Sequence, residues 1–380
     1  MKVAHICTSS LSHKVLVDKL ELLNQENYTI NLISSSEGYD ERILRDTTFE
    51  IKFIDMKRNI SPISDVKSIF NLAKLLKREK YEVIHTHTAK AGLIGRVAGR
   101  LAGIPLVIHT SHGLPYYEGQ NRLKYGLYKN FEKLGSRFSH ILLSQNYEDL
   151  HKLEEISQGR AVLYEGNGVD IDKVQMKLAR SKKDVETIKK KYAPNGEFLF
   201  LMAARFEEIK DHDFLIDGVD KLVRKYNQNN FVFLLAGQGE LEDAIKAKIK
   251  KLNLEDYIKI IGFQENIYKF INLSDAVILT SQKEGLPRII MESMVAHKLV
   301  IGTDVLGTRE LIEEDKTGLL IRYKDIEHLA SQLDKALVKN LDHLKENAHR
   351  KIIENFTEQI VVKRLDNIYK RGYKVKKLTK

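Results

Sequence analysis

Two carboxylates bracket one short stretch of the chain, Glu284–Glu292, which reads EGLPRIIME. It follows DAVILTSQ, a run typical of a buried strand that leads into a polar loop. Pro287 suits a helix start, Gly285 lets backbone approach a ligand, and the amides from Arg288 onward would lie at the positive end of a helix dipole. The first acid could then bind sugar hydroxyls and the second ribose hydroxyls. The alternative is a capping acid followed by an exposed helix acid, and the spacing alone does not separate the two.

A pair of cations occurs in a second motif, MAARFEEIKDHDFL. Arg205 ends a strand-like run, and Lys210 follows five residues later, before the next helical pattern. Two cations at the carboxyl end of a strand suit a diphosphate, and they could stabilise a departing nucleoside diphosphate without a metal. The alternative is a pair of surface cations that neutralise Glu207, Glu208 and Asp211.

Two glycine-containing loops follow later strand-like runs. LLAGQGELED contains Gly237 and Gly239, but Glu242 stands where a dinucleotide fingerprint needs its third glycine, which argues against NAD. In GTDVLGTR, Thr308 occupies the position of the P-loop lysine, so that interpretation also fails. What remains is a tight turn that lets backbone approach a ligand.

Histidines follow two strand-like runs in the first half of the chain. HTHTAKAGLIGR places Thr86, His87 and Lys90 after a strand, and strand alternation puts His85 and His87 on one face. Because no third ligand follows at metal-site spacing, we expect no metal there. In VIHTSHGLPYYEG, His112 could contact a sugar hydroxyl or the transferring phosphate, and the alternative is a hydrogen-bonded core histidine.

These motifs all stand after apolar runs in an alternating strand and helix pattern. The pattern predicts an α/β fold with two facing Rossmann-like domains, each with a parallel sheet covered by helices. We place the first domain at residues 1–165, a polar linker at 166–196, the second domain at 197–356, and a last helix with a basic tail at 357–380. We expect that last helix to cross back to the first domain. Gly92, Gly95, Gly99 and Gly103 are expected to let a crossover helix pack tightly on the first sheet. Open sheets of this class bind ligands at the carboxyl ends of their strands, where the motifs lie.

Composition narrows the classes of partner. The chain has 380 residues, a formal net charge of +10 and one cysteine, Cys7, which predicts a buried thiol in a reducing compartment. No apolar run reaches the ~20 residues that span a bilayer. Excess positive charge fits phosphorylated substrates, an anionic membrane or nucleic acid, and the last is disfavoured because no nucleic-acid-binding motif occurs. Segment 122–137 alternates Leu123, Leu127, Phe131 and Leu134 with cations, which indicates either a membrane-facing helix or a solvated basic face.

Together these motifs resemble the family 4 glycosyltransferases, which are retaining enzymes of the GT-B fold. The resemblance covers nearly the whole chain. It rests on EGLPRIIME, on Arg205 and Lys210, on the loops AGQGE and GTRELI, and on the segment GNGVDIDKV. The first half, from SPISDVK to VIHTSHG, looks like bacterial capsular and exopolysaccharide members of the family.

The resemblance implies a UDP-sugar donor, with a sugar of the N-acetylated hexosamine type, and a lipid-linked saccharide acceptor at the inner face of the cytoplasmic membrane. The implied catalytic residues are His112, Arg205, Lys210 and Glu284. The implied donor-binding residues are Gly237, Gly239, Gly285, Leu286, Pro287, Arg288 and Glu292. Retention in this family is usually described as front-face attack, in which the leaving phosphate helps deprotonate the acceptor, so neither a metal cofactor nor a protein nucleophile is implied. Other polysaccharide-biosynthesis proteins are candidate partners.

This chain departs from the family pattern after its first strand, where CTSSLSHKVL replaces a glycine-glycine loop. Ser10 and His13 remain candidate contacts there, and Thr86, His87 and Lys90 complete the expected acceptor side. Where the family usually has a glycine and a proline after the motif helix, this chain has His297 and Leu299. Two alternatives stay open: a GT-B sugar-nucleotide epimerase, and a non-catalytic sugar-nucleotide-binding subunit of a transferase complex.

Overall fold

The chain divides into two units, each built on its own parallel sheet. The computed structural model describes residues 1–36, 39, 49–57, 59, 61–117 and 120–378. One unit comprises Met1–Asn167 together with Glu358–Lys380, and the other comprises Gly168–Thr357. In both sheets every strand pairs in parallel with its neighbours, which confirms the predicted α/β class with two Rossmann-like domains.

The sheet of the first unit has the strand order β3-β2-β1-β4-β5-β6-β7 among the described residues. Its strands are β1 (Lys2–Ser9), β2 (Thr29–Ser35), β3 (Glu50–Phe53), β4 (Val83–Thr86), β5 (Leu106–Ser111), β6 (Ile141–Ser144) and β7 (Ala161–Tyr164). Its helices are α1 (Val17–Asn24), α2 (Pro62–Glu79), α3 (Ala89–Leu101), α4 (Arg122–Ser136), α5 (Tyr147–Ile156) and the last helix of the chain, α14 (Glu358–Leu378). A 3-10 helix, Ser10–Val15, joins β1 to α1.

Alternation along the strands gives this sheet two different faces. Val3 and Cys7 of β1 pack in a core with residues of α1 and α14, whereas Ala4 and Ile6 pack in a core with α2 and α3. The glycines of α3 allow its close approach, because a side chain at 92, 95 or 99 would overlap His109, Thr86 or Ile84 respectively. This confirms the packing role predicted for Gly92, Gly95 and Gly99. The prediction is wrong for Gly103, because a Cβ added there would meet no atom within 4 Å; this glycine instead adopts a left-handed φ of 69° after the helix.

The sheet of the second unit has the strand order β10-β9-β8-β11-β12-β13. Its strands are β8 (Phe198–Ala203), β9 (Phe231–Ala236), β10 (Ile258–Gly262), β11 (Ala276–Leu279), β12 (Leu299–Thr303) and β13 (Leu319–Ile321). Its helices are α6 (Ile171–Tyr192), α7 (His212–Arg224), α8 (Glu242–Lys251), α9 (Tyr268–Leu273), α10 (Arg288–Val295), α11 (Thr308–Leu311), α12 (Ile326–Val338) and α13 (Asp342–Asn355).

Residues 166–196, expected as a polar linker, are instead mostly helix α6 of the second unit. Val174, Leu178 and Ser181 are buried at helical spacing, and Lys269 of α9 pairs with Asp184 at 2.8 Å. The chain changes unit at 167/168, before this helix begins. An apolar stripe this narrow is hard to see in a run dominated by lysines, but it suffices to attach one face of a helix.

Helix α14 returns to the first unit, as the fold class predicted. Its Val361, Leu365 and Tyr369 are fully buried, or nearly so, in the core on the α1 face of the first sheet. Asp366 of α14 accepts a hydrogen bond from the Tyr28 hydroxyl at 2.8 Å. Helix α14 is thereby part of the core of the unit that contains β1.

Candidate active site

Two predicted catalytic residues, Lys210 and Glu284, meet at the topological switch point of the second sheet. The strand order reverses between β8 and β11. The loop after β8 carries Lys210, and the loop after β11 carries Glu284. The Lys210 Nζ donates to Glu284 Oε1 at 2.6 Å, although the residues are 74 positions apart. The Ser281 hydroxyl donates to the same oxygen at 2.6 Å. With side chains only 19% and 9% exposed, the pair is shielded but still reaches solvent.

The loop after β8 is held in place by an unusual helix start. Lys210 ends a short 3-10 helix, and Asp211 follows in a left-handed conformation with φ 46° and ψ 58°. Asp211 caps α7 by accepting from the backbone N–H of Phe214 at 3.1 Å. The Thr280 hydroxyl, from the end of β11, donates to the carbonyl of Lys210 at 3.2 Å. Left-handed backbone is costly for a residue other than glycine, and such strain is concentrated at functional sites.

Arg205 does not join this pair. Its side chain is 67% exposed and forms an ion pair with Glu207, one of the acids that the surface alternative named. Exposed ion pairs contribute little to stability, so the guanidinium can leave Glu207 for a ligand at small cost. Its predicted contact with a diphosphate remains a prediction.

Glu292 lies in the second turn of α10, and the structure buries it against a tyrosine that sequence reasoning missed. The Tyr268 hydroxyl donates to Glu292 Oε1 at 3.0 Å, and Arg288 Nε lies 3.7 Å from the same oxygen. Pro287 stands in an extended conformation directly before the helix, and its carbonyl accepts from Ile290 N at 3.1 Å. The helix start predicted in EGLPRIIME is therefore correct to within one residue. The sequence signal for Tyr268 is only an aromatic residue at the start of a helix, which is equally typical of a core position.

Close contacts within the protein explain why glycine stands at two positions of AGQGE. A Cβ on Gly237 would overlap the carbonyl of Ala204, and one on Gly239 would overlap the backbone of Phe206. Phe206 N donates to the carbonyl of Gln238 at 3.0 Å, so the loops after β8 and β9 run against each other. We expected these glycines to leave room for a ligand. In the structure they instead leave room for the backbone of the loop that contains Arg205.

A similar contact joins GTRELI to EGLPRIIME. Gly307, with φ 82°, precedes α11, and a Cβ there would overlap the carbonyl oxygen of Gly285. Glu284 N donates to the carbonyl of Leu306 at 3.3 Å. Leu286 is buried beside these loops. The third loop at this edge of the sheet therefore supports the loop that carries the glutamate.

The predicted acceptor-side residues are largely internal in the first unit. Ser10 and His13 lie in the 3-10 helix after β1 and are buried, and burial lowers the pKa of His13 to about 4. Thr86 is buried and donates to the carbonyl of Ile108 at 3.2 Å. Lys90, at the start of α3, forms an ion pair with Asp65 at 2.8 Å. Thr86 and Lys90 thus have partners within the protein, whereas the buried Ser10 hydroxyl has no hydrogen-bond partner among the described residues. The acceptor roles stay predictions.

The structure gathers seven polar side chains on the α14 face of the first sheet. The buried hydrogen-bond chain, as we name it, consists of Glu165, Thr110, His85, Tyr369, His5, His87 and His112. Six of these residues are buried, and His112 at its end is half-buried. β1, β4 and β5 supply His5, His85 and Thr110, while His87 and His112 follow β4 and β5. Helix α14 contributes the tyrosine.

Three of these histidines converge closely enough to hold a metal ion. His5, His85 and His87 each offer a ring nitrogen within 4.8 Å of the others. Our reason for expecting no metal, the lack of a third ligand, is therefore wrong, because His5 comes from a neighbouring strand that sequence spacing could not reveal. In this structure the nitrogens are used within the chain, as in the 3.0 Å hydrogen bond between His5 Nδ1 and His87 Nε2.

One charged pair anchors the buried hydrogen-bond chain. Lys19 of α1 donates to Glu165 Oε1 at 2.5 Å, and both side chains are almost inaccessible. Burial acts to raise the pKa of Glu165, but the Lys19 ammonium and the Thr110 hydroxyl outweigh it, and the net change in pKa is downward. Burial and the Lys19 charge lower the pKa of His112 to about 4, so the imidazole is neutral at physiological pH.

Helix α4 presents an exposed apolar stripe. Leu123 is 84% exposed, and Leu127 and Leu134 are also exposed beside Lys124 and Lys133. Phe131, which we placed on the same face, is half-buried, because its position turns it toward the body of the unit. Among the described helices, none is both long enough and apolar enough to cross a bilayer.

Two family models match successive parts of the chain. Residues 184–358 match glycosyl transferases group 1, and residues 5–146 match glycosyl transferase 4-like. The first match covers the loops with Lys210 and Glu284, and the second covers most of the buried hydrogen-bond chain.

Two curated relatives align with this chain along nearly their whole length. UDP-Gal:alpha-D-GlcNAc-diphosphoundecaprenol alpha-1,3-galactosyltransferase of Escherichia coli is 29% identical over 379 residues, which cover 97% of this chain and 95% of that protein. Capsular polysaccharide biosynthesis glycosyltransferase CapM of Staphylococcus aureus is 24% identical, with 97% and 96% covered. Among solved structures, HepE of Anabaena in complex with UDP and glucose superposes with a TM-score of 0.81 at 17% identity, with 98% of this chain and 100% of HepE covered. This last similarity shows the fold.

Proposed function

Because the chain belongs to the family 4 glycosyltransferases with the GT-B fold, we propose that it is a retaining hexosyltransferase that uses a UDP-sugar donor. The observation that carries the proposal is the contact between Lys210 and Glu284 at the switch point of the second sheet. A cation and a carboxylate placed side by side suit a donor that has a diphosphate next to a sugar. The E. coli relative has a UDP-sugar in its name, which supports this donor class.

Each part of the donor has a matching group in the second unit. Lys210 and the accessible Arg205 would neutralise the diphosphate, and the N-terminus of α10 would add its partial positive charge. Glu284 would accept hydrogen bonds from sugar hydroxyls. Glu292, held by Tyr268, would accept from the ribose hydroxyls.

The transfer itself needs few groups from the protein. The acceptor hydroxyl oxygen attacks the anomeric carbon on the face from which UDP departs, and the bond between that carbon and the phosphate oxygen breaks. The departing phosphate oxygen takes the hydroxyl proton, so UDP leaves with its charge held by Lys210 and Arg205. Charge stabilisation of this kind is commonly worth 10²–10³ in rate per group, or roughly 3–4 kcal/mol.

The proposed acceptor is a lipid-linked saccharide of capsule or surface-polysaccharide synthesis. The E. coli relative is named for a diphosphoundecaprenol substrate, and the S. aureus relative for capsular polysaccharide biosynthesis. The family resemblance implied a donor sugar of the N-acetylated hexosamine type, whereas the name of the E. coli relative contains UDP-Gal, so both donor classes belong in the test.

Membrane contact through α4 would bring the enzyme to such an acceptor at the inner face of the cytoplasmic membrane. Exposed Leu123 and Leu127 would enter the interfacial region, and the neighbouring lysines would attract anionic lipid. Replacing both leucines with Glu should abolish sedimentation with phosphatidylglycerol vesicles. Val338→Glu replaces a comparably exposed apolar residue in the second unit and should leave sedimentation unchanged. Equal sedimentation of the double variant and the unaltered protein would rule out this surface.

The decisive experiment incubates purified protein with each UDP-sugar, with and without a synthetic diphosphopolyprenol-linked N-acetylglucosamine. We expect UDP release and a disaccharide product only when the acceptor is present, with the anomeric configuration of the donor kept in the product. Conversion of the donor without acceptor would identify an epimerase. Donor binding without turnover across lipid-linked acceptors would identify a non-catalytic subunit, and inverted configuration would reject the retaining mechanism.

A further inference from the structure

The buried hydrogen-bond chain has one end whose proton position is fixed by chemistry. The Glu165 carboxylate, ionised beside Lys19, can only accept hydrogen bonds. The Thr110 hydroxyl lies 2.5 Å from Glu165 Oε2 and must therefore donate to it. Because a hydroxyl has a single proton, the Thr110 oxygen must act as the acceptor in its contact with His85.

The donor and acceptor in each of the next two contacts follow from this assignment. His85 Nε2 lies 2.6 Å from the Thr110 oxygen and so bears the proton. A neutral imidazole has one N–H, and burial keeps the pKa of His85 well below its usual range, so Nδ1 bears no proton. That nitrogen accepts from the Tyr369 hydroxyl at 2.5 Å. Burial raises the pKa of the Tyr369 phenol, which keeps its one proton and commits it to His85.

The remaining contacts continue the same donor-to-acceptor direction as far as His112, the half-buried end of the buried hydrogen-bond chain. Tyr369 can only accept in its 3.4 Å contact with His5, so the proton of His5 is on Nε2. His5 Nδ1 then accepts from His87 Nε2 at 3.0 Å, and His87 Nδ1 accepts from His112 Nε2 at 2.8 Å. His112 is neutral, and its one proton is used in this last bond. Its Nδ1 is left as a bare acceptor.

We propose that Glu165 acts through the buried hydrogen-bond chain to fix the tautomer of His112, so that this residue presents an unprotonated Nδ1 to the substrate. Glu165, Thr110 and Tyr369 are then positioning residues, since they act on His112 without contacting substrate. A bare nitrogen accepts a hydrogen bond from a hydroxyl and repels a phosphate oxygen. Of the two partners open to His112, a sugar hydroxyl therefore fits and the transferring phosphate does not.

This assignment rests on the proposed function only in the nature of the substrate, because the direction of the chain follows from the protein alone. Gln145 also lies within hydrogen-bond reach of His112. This contact acts to raise the pKa of the imidazole, against the larger lowering by burial and by the Lys19 charge. The 3.4 Å contact between Tyr369 and His5 is the longest of these hydrogen bonds, and removing the Tyr369 hydroxyl breaks it together with the 2.5 Å bond to His85.

The test reads the tautomer directly, by 15N NMR of the histidine side chains in the full-length protein, with His112→Asn used to assign the signals. In the unaltered protein, His112 Nδ1 should give the strongly deshielded signal of a bare nitrogen. Tyr369→Phe removes the acceptor for the His5 proton, and Thr110→Val removes the acceptor for the His85 proton. Either change should move the His112 Nδ1 signal toward the protonated position, and Thr110→Ser should restore it.

Tyr28→Phe is the matched control, because it removes a hydroxyl from the same interface between α1, β2 and α14 but outside the chain. It should leave the His112 signal unchanged. An unchanged His112 signal in both Tyr369→Phe and Thr110→Val, each shown to be folded by circular dichroism, would overturn the inference whatever the enzyme's activity.

Activity provides the second measurement. If the substrate hydroxyl uses this nitrogen, both variants should lower kcat/KM about tenfold, the equivalent of one hydrogen bond, and Thr110→Ser should recover it. A shifted tautomer with unchanged kcat/KM would uphold the role of the chain and reject the role of His112 in the proposed function. The two failures are thereby distinguishable.

Discussion

Removing the Lys210 ammonium is the sharpest perturbation of the proposed donor site. Lys210→Met keeps the length of the side chain and removes the charge that lies 2.6 Å from Glu284 Oε1. In the proposed reaction this cation faces the diphosphate as the glycosidic phosphate bond breaks. We expect kcat to fall by roughly 10²–10³, corresponding to about 3–4 kcal/mol of lost transition-state stabilisation.

The same change has a structural cost that must be separated from the catalytic one. Without Lys210, the nearly buried Glu284 carboxylate keeps only the Ser281 hydroxyl among the side-chain donors described here. Because the carboxylate still reaches solvent, we expect a loss of roughly 1–3 kcal/mol in the free energy of unfolding, less than for a fully buried pair. Urea unfolding of the variant measures this directly.

A double-mutant cycle with Glu284→Gln distinguishes the two roles. If Lys210 only neutralises the glutamate, adding Lys210→Met to Glu284→Gln should change kcat little. If it also holds the diphosphate, the double variant should be slower than either single variant, though by less than the product of their effects because the residues touch. UDP binding by calorimetry provides an acceptor-independent measurement and should weaken at least tenfold in Lys210→Met.

Lys246→Met serves as the control, because Lys246 forms an equally short ion pair with Glu242 on an exposed surface of the same unit. Surface pairs of this kind contribute at most about 1 kcal/mol, and the variant should bind UDP normally. Near-normal kcat and UDP affinity in a folded Lys210→Met protein would refute the assignment of Lys210 to the diphosphate.

Three further changes test other parts of the structure. Tyr268→Phe should weaken UDP binding several-fold by releasing Glu292, an effect of about 1 kcal/mol; equal calorimetric affinity would exclude this support. Gly307→Ala forces a Cβ into the EGLP loop, so UDP affinity should drop at least tenfold, whereas Gly196→Ala, with a similar positive φ and open space, should cost only stability. Burial lowers the pKa of His13 to about 4, so between pH 6.5 and 4 the unfolded chain binds the extra proton, and stability decreases as the pH is lowered through this range. His13→Gln should flatten the slope of unfolding free energy against pH by up to about 1.4 kcal/mol per pH unit, and an unchanged slope would contradict a neutral His13.

The sequence alone determined the helices and strands and the edge of each sheet at which the candidate site residues lie. Strand and helix periodicities are local, so the α/β class, the helix start at EGLPRIIME and the tight packing of α3 through Gly92, Gly95 and Gly99 could all be predicted. The order and spacing of the motifs along the chain likewise predicted the glycosyltransferase family. The narrow apolar stripe of α6 escaped because a few buried positions in a lysine-rich run give a weak local signal.

Only the tertiary structure decided which side chains share an environment. Lys210 reaches Glu284 because strand order reverses between β8 and β11, and sequence separation does not encode strand order. For the same reason the third histidine beside His85 and His87 came from β1, and α14 supplied Tyr369 from the far end of the chain. A hydrogen bond depends on distances of about 3 Å, whereas periodicity specifies only the face of an element. The candidate site residues could therefore be identified from the sequence, but their hydrogen-bond partners were determined by the packing of elements that are distant along the chain.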